Sequence, residues 1–360
     1  MKKIMFYINS IDFGGAERVI VNLANYFAEN NYESVLVTSY HSSHEYSLNS
    51  SVKRLSLEKE EIQQSRIKRN LSRVKKLREI CKEERPDILV SFMKEPNFRA
   101  ILATRGLPTK TIVSVRNDPN MEYSGTEGKA VGKILLPFAD GCVFQTEDAK
   151  NWFPKKLQNK SKIIYNAVKE DFYQGERKPQ RGKIVTCGRL VEQKNHAMLI
   201  QAFAEALKRV PYITMKIYGE GPLQEALQKQ IDALGLQKRV QLMGTTGKVS
   251  KVLETADLFI LSSDFEGMPN ALMEAMAVGV PSISTDCPCG GPRELFCEKL
   301  SSQLVPVGDS KKLSEKMINF FESSDTSKEE LSEKFKSVAQ KFFPEKINKE
   351  WADYINSVLG

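Results

Sequence analysis

Histidine is nearly absent from this chain: 360 residues contain three, His41, His44 and His196. Six cysteines at irregular spacing make no disulfide framework, which fits a reducing compartment. The one close pair, Cys287 and Cys289 in CPCGG, has no histidine near it in sequence, so free loop thiols are a better reading than a metal centre. No run of about eighteen apolar residues occurs, and the apolar start IMFYI is too short for a span or a secretory leader. A cytoplasmic protein is expected. No internal repeat or low-complexity tract appears, so the chain reads as ordinary globular sequence, 41% hydrophobic and 27% charged.

A chain of this length suits two domains of about 150 to 200 residues each. Short apolar runs, KIMFYIN (3–9), ESVLVTS (33–39), DILVSF (87–92), KTIVSV (110–115) and DGCVFQ (140–145), alternate with helical patterns. Such alternation predicts a parallel sheet with helices on its faces. It restarts after a polar stretch, EDFYQGERKPQRG (170–182), with KIVTCG, ITMKIYG, RVQLMG, DLFILSS, PSIST and SQLVPV. The expected fold is α/β, two doubly wound domains spanning 1–170 and 171–343. Pro344 should break the two closing helical patterns and leave 344–360 as a separate C-terminal helix.

The positive charge is lopsided. Residues 1–172 carry 28 Lys and Arg against 21 Asp and Glu, seven of the chain's eight net charges. Within them RIKRNLSRVKKLR (66–78) has seven basic residues and no acid, with Ile67, Leu71, Val74 and Leu77 at helical spacing. This predicts a helix that packs by its apolar stripe and turns a cationic face outward. Each Lys or Arg near an anionic lipid surface contributes about 1 kcal/mol, so weak attraction to a membrane is expected. Nucleic acid is not, because no aromatic platform or base-reading motif accompanies the charge.

Open α/β sheets bind ligands outside the carboxyl ends of their strands, which directs attention to the loops there. NSIDFGGAER follows the first strand, and Gly14 and Gly15 would open a helix whose free N–H groups suit a phosphate, although such a turn is as often only turn chemistry. Gly188 and RLVEQKNH follow KIVTCG, placing Arg189 and Lys194 at a strand-to-helix turn. Two cations there suit a diphosphate, with solvated surface charges as the bland alternative. ITMKIYG leads through Gly219 into a second tight turn, EGP.

DFEGMPNALMEAMAVGVP (264–281) places Glu266 before a helix expected to start with Pro269 at its first position, and Glu274 inside it. A helix apolar on nearly every side belongs in a core, and a carboxylate there needs a partner. Backbone N–H groups of Gly267, Met268 and the helix start would face a phosphate. Glu274, about 7.5 Å further along the axis, would reach a ribose. Glu266 would stand on the far side of the phosphate.

The GGAER turn, G-R-L-x-x-x-K-N at 188–195, YGEGP, and the E-x7-E pattern from Glu266 to Glu274 resemble, in order and spacing, the retaining nucleotide-sugar glycosyltransferases of family 4. The resemblance spans nearly the whole chain. It implies the GT-B fold, two Rossmann-like domains facing across a cleft, with the C-terminal helices packing back on the first. It implies a sugar nucleotide, more commonly a UDP-sugar, held mainly by the second domain, and transfer of a hexosyl or N-acetylhexosaminyl group. Carried over by position, Arg189 and Lys194 neutralise the leaving diphosphate with no metal or other cofactor. Glu266 contacts the donor sugar; Gly267, Met268, Asn270, Gly188, Gly219 and Thr245 surround the donor, Glu274 holds the ribose, and Gly14 and Gly15 complete the phosphate site. Arg189, Lys194 and Glu266 are the catalytic candidates.

One position departs from many relatives: Arg116, in RNDPN, stands where they carry a histidine. It cannot serve as a base, but could bind a phosphate or orient the donor, or form a salt bridge with Asp118. Similarity to enzymes of bacterial surface-polysaccharide synthesis implies an acceptor on a polyprenyl diphosphate and work at the inner face of the cell membrane. The alternatives are an inactive GT-B scaffold subunit, which would not need the cations and glutamates, and a GT-B sugar-nucleotide epimerase, which the histidine inventory disfavours.

Overall fold

The computed structural model describes residues 1–12, 14–42, 44–61 and 65–360. It divides into two compact units, Met1–Asn166 with Glu345–Gly360, and Ala167–Pro344.

The first unit is built on seven strands: β1 (Lys3–Ile8), β2 (Glu33–Thr38), β3 (Lys53–Ser56), β4 (Ile88–Phe92), β5 (Lys110–Ser114), β6 (Gly141–Phe144) and β7 (Ser161–Ile163). Their order is β3-β2-β1-β4-β5-β6-β7, and every pairing is parallel. Ile4, Met5, Phe6 and Tyr7 of β1 are fully buried, as a strand covered on both faces requires. Helices α1 (Gly15–Glu29), α2 (Arg66–Glu84) and α3 (Lys94–Thr104) follow β1, β3 and β4. In α1, Val19, Ile20, Leu23, Ala24 and Phe27 make the buried stripe.

The α2 expectation needs correction. Arg73, Leu77 and Cys81 take its buried face, while Ile67 and Leu71 stand in solvent. Arg73 donates to Glu58 Oε2 at 2.7 Å and 3.1 Å, and both side chains are buried. A buried guanidinium so paired satisfies its donors, and it rotates the helix away from the orientation that hydrophobic spacing alone predicts.

The second unit holds β8 (Lys183–Cys187), β9 (Thr214–Tyr218), β10 (Val240–Leu242), β11 (Leu258–Leu261), β12 (Ser282–Thr285) and β13 (Leu304–Val305), in the order β10-β9-β8-β11-β12-β13, again all parallel. Its core joins Ile184, Ile217, Leu258 and Ile283 of the sheet to Leu199, Phe203, Leu313 and Met317 of the covering helices. Strand order reverses between β1 and β4 in one sheet and between β8 and β11 in the other. Ligand crevices open at such reversals.

The chain passes between units at Asn166 and Ala167, ahead of the polar stretch 170–182. That stretch is strapped to the second unit, Lys178 N–H donating to Glu254 O (2.8 Å) and Gln180 N–H to Thr255 O (3.0 Å). The helix Pro344–Leu359 returns to the first unit: Trp351 stacks on Phe92 at 5.7 Å, and Tyr354 Oη accepts from Cys142 N–H at 2.8 Å and donates to Lys160 O at 2.6 Å. Among the described residues no helix is long and apolar enough to cross a membrane.

Candidate functional site

In the second unit the turns after β8 and β9 close on each other. Gly188 N–H donates to Tyr218 O and Leu190 N–H to Glu220 O, both at 2.9 Å. A Cβ on Gly219 would collide with Gly188 O, and one on Gly221 with Leu190 O; the two glycines of YGEGP are there because the backbones approach this closely. Gly219 N–H also reaches Gly244 O at 2.9 Å, and Thr245 Oγ1 reaches Glu220 Oε1 at 3.4 Å. Gly188, Gly219 and Thr245 therefore share one end of the sheet.

The loop 189–195 is laced to the loop after β11. Asn195, in the left-handed region at φ 44°, caps the helix His196–Arg209 by accepting from Met198 N–H, and its amide donates to Asp264 Oδ1 at 2.7 Å. Gln193 Nε2 donates to Phe265 O (2.9 Å) and Ser262 Oγ to Lys194 O (2.8 Å). Between them the Lys194 ammonium bonds Glu266 Oε1 directly. The same oxygen accepts from Ser263 Oγ at 2.7 Å, and Ser263 O accepts from Thr285 Oγ1 at 2.6 Å. The residues assigned by pattern to phosphate and to sugar are thus in contact, and Lys194 Nζ marks the border between them. Arg189 is exposed on the same loop.

Ser263 escaped the sequence reading because a serine ending an apolar strand carries no signal. His196 is buried behind the loop, where burial and then Lys194 pull it down to about 4, so it is neutral. The helix with Glu274 runs Asn270–Val278, and Pro269 is its extended N-cap (φ −76°, ψ 101°) rather than its first residue. Glu274 is 6% exposed. Its charge reaches Cys187 at the end of β8, whose thiol is pushed up first by burial and then by that carboxylate. Met268 is buried and Asn270 half-buried. Gly267 O packs so tightly on Gly291 that a Cβ there would collide.

In the first unit Gly14 is the N-cap of α1; its neighbour Phe13 lies outside the described residues. A Cβ on Gly14 would meet the Glu17 carboxylate, so this acid folds back over the helix start, where a negative charge is favourable.

Arg116, after β5, is buried over the Phe92 ring (4.7 Å) and donates to Asn166 Oδ1 and, at 3.5 Å, to Ser114 Oγ. Its Nε is sealed from solvent without a hydrogen-bond partner. Asp118 instead caps the next helical turn, accepting from Asn120 N–H at 3.0 Å. The acids acting on Arg116 are Glu122 and Glu17, and burial lowers it to about 9, still charged at neutral pH. Glu122, which no sequence pattern marked, accepts from Lys94 N–H at 2.7 Å. Its Oε2 is sealed without a partner, and burial pushes it up to about 7.

Two all-parallel α/β units, the second with a Lys–Glu pair at its strand-order reversal, have the architecture of a GT-B glycosyltransferase. The family model for glycosyl transferases group 1 matches residues 168–342, and that for glycosyltransferase family 4 matches residues 13–172; the chain belongs to the family 4-like glycosyltransferases. An uncharacterized glycosyltransferase of Methanocaldococcus jannaschii is 32% identical over 256 residues, 64% of this chain and 63% of that one. A Campylobacter jejuni α-1,4-N-acetyl-D-galactosaminyltransferase, named for a GalNAc-containing diphospho-undecaprenol acceptor, is 26% identical over 99% of both chains. The Anabaena protein HepE, solved in complex with UDP and glucose, superposes with a TM-score of 0.81 at 19% identity over 99% of this chain and 100% of its own, a likeness of fold.

Proposed function

We propose that this enzyme transfers a hexosyl or N-acetylhexosaminyl group from a UDP-sugar, with retention of configuration and without a metal, to a glycan on a polyprenyl diphosphate at the inner face of the cell membrane. The observation that carries the reading is the Lys194–Glu266–Ser263 cluster beside exposed Arg189, at the strand-order reversal of the second sheet. Arg189 and Lys194 offset the charge that develops on the departing diphosphate. Glu266, held through Oε1, presents its other oxygen to the donor sugar, and Glu274 accepts from the ribose hydroxyls. The acceptor oxygen attacks the anomeric carbon from the face the diphosphate leaves. The carbon–oxygen bond to phosphate breaks, and the hydroxyl proton passes to the departing phosphate oxygen. No protein base takes part.

The Campylobacter relative's named acceptor and the basic first unit support the lipid-linked substrate. The test is turnover of UDP-sugars with a polyprenyl-diphosphate glycan in EDTA, with the product anomer read by NMR. A product of inverted configuration removes the retaining mechanism. Absence of turnover or binding with every UDP-sugar removes the donor class.

A further inference from the structure

The apolar side chains that α2 leaves in solvent are not isolated. Ile67 and Leu71, 74% and 67% exposed, lie on the side of α2 nearest α3. Arg78 of α2 donates to Ala103 O and Arg105 O, both at 2.8 Å, and Arg99 of α3 holds Asn70 Oδ1 at 2.7 Å and 2.9 Å. α3 turns Phe98, Leu102 and Arg105 outward at the spacing of one helix face. It packs in turn against the helical stretch Val131–Phe138, where Ile134 and Phe138 are 67% and 59% exposed. Leu102, Arg105, Leu135 and Phe138 line one depression of about 260 Å³. Three segments packed side by side, α2 on α3 and α3 on 131–138, thus each turn large apolar side chains to solvent.

The surround of this flank is cationic. Lys68, Lys75, Arg105, Lys129, Lys133 and Lys156 are exposed, and Arg105 and Lys156 stand 5.9 Å and 5.1 Å from the Phe138 ring centroid. Of the nearby acids, Glu95 and Glu127 pair with Arg66 at 3.4 Å and 3.2 Å and Asp140 with Lys110 at 3.4 Å, while Glu79 stands exposed one turn after Lys75. A contiguous patch of large apolar side chains marks an interaction surface. Ringed by lysine and arginine that stand on aromatic rings or in solvent and form no ion pair among the described residues, it has the profile of the boundary between anionic head groups and acyl chains.

We infer that this flank docks on an anionic bilayer, with Ile67, Leu71, Leu102, Ile134 and Phe138 immersed below the head groups and the cations lying among the phosphates. The inference rests on the lipid-linked acceptor proposed above, and it replaces attraction by charge alone with insertion. The flank also leads to the chemistry. α3 begins at Lys94, whose N–H is held by Glu122, and Glu122 faces Arg116. A diphosphate carried at head-group depth would meet this end of the first unit without leaving the surface.

The test is co-sedimentation of the full chain with phosphatidylglycerol–phosphatidylcholine vesicles and with phosphatidylcholine alone, at low and high salt. One variant carries Ile67→Ser, Leu71→Ser, Ile134→Ser and Phe138→Ser; the other carries Lys68→Gln, Lys75→Gln, Lys129→Gln and Lys133→Gln. Insertion predicts that wild type keeps a salt-resistant fraction on anionic vesicles, that the serine variant loses it and binds at least ~tenfold more weakly at low salt, and that both variants keep wild-type UDP affinity. A serine variant that binds like wild type, with all binding abolished by salt, overturns insertion and leaves charge attraction standing. Absence of vesicle binding overturns both. Self-association that only the serine variant loses, without vesicle binding, makes the flank a contact between copies and equally overturns the proposal.

Discussion

Glu266→Gln should tighten the binding of UDP. Lys194 Nζ bonds Glu266 Oε1; with a diphosphate on the other side of the ammonium, two contacts of about 3 Å would place the carboxylate ~7 Å from the phosphate charge. Two unit charges at that separation repel by about 0.6 kcal/mol in water and about 2.4 kcal/mol at an effective dielectric of 20. Taking about 1 kcal/mol, neutralising Glu266 improves UDP affinity roughly fivefold. Glutamine keeps an oxygen for Ser263 Oγ, so the fold survives at a cost of about 1–2 kcal/mol for the weakened charge-assisted bond. Turnover moves the other way, because the sugar-side hydrogen bond to a charged acceptor is lost: about 2–3 kcal/mol, or ~30- to 150-fold in kcat. Calorimetric titration with UDP, beside steady-state transfer rates, reads both signs. UDP affinity that falls as turnover falls would refute the arrangement, because Glu266 would then contact the nucleotide itself.

Glu274→Gln should weaken UDP and UDP-sugar alike, since both carry the ribose; unchanged UDP affinity in the same titration removes that role. Transfer should persist in EDTA with Arg189 and Lys194 neutralising charge, and a loss restored by Mg or Mn defeats the assignment. Glu122 has a folded-state pKa raised to about 7 by burial. The folded protein therefore holds a proton that the unfolded chain releases near 4.5, and the associated stability is full below pH ~4.5 and lost as pH rises through 7. Glu122→Gln should consequently raise the melting temperature at pH 8 while changing it little at pH 5, by at most about 3 kcal/mol. Melting curves with the same pH slope in both proteins would contradict this.

Most strands were legible because a parallel sheet covered on both faces forces runs such as IMFYI, ILVSF and LFIL. KRLS and SKI, the edge strands β3 and β7, were not, since half-exposed backbone tolerates charged and small residues. The orientation of α2 was hidden for a related reason. Hydrophobic spacing cannot reveal that Arg73 finds Glu58 beneath the helix, and that pair outranks Ile67 and Leu71 for the buried face. At the site, loop motifs placed Lys194 and Glu266 at one end of the sheet. Their direct bond, and the serine behind it, depend on where two loops 72 positions apart meet, which motif spacing does not encode.

The return of the last helix to the first unit has a consequence for synthesis. The Phe92 face that Trp351 covers is made early, but its lid follows the whole second unit in sequence. A ribosome adding about 5–20 residues per second must first translate all of Ala167–Pro344, on the order of ten to thirty seconds. Throughout that interval the nascent first unit exposes an unfinished core, open to chaperones and to neighbouring nascent chains. A stop codon falling within Pro344–Leu359 would therefore strike the domain made first.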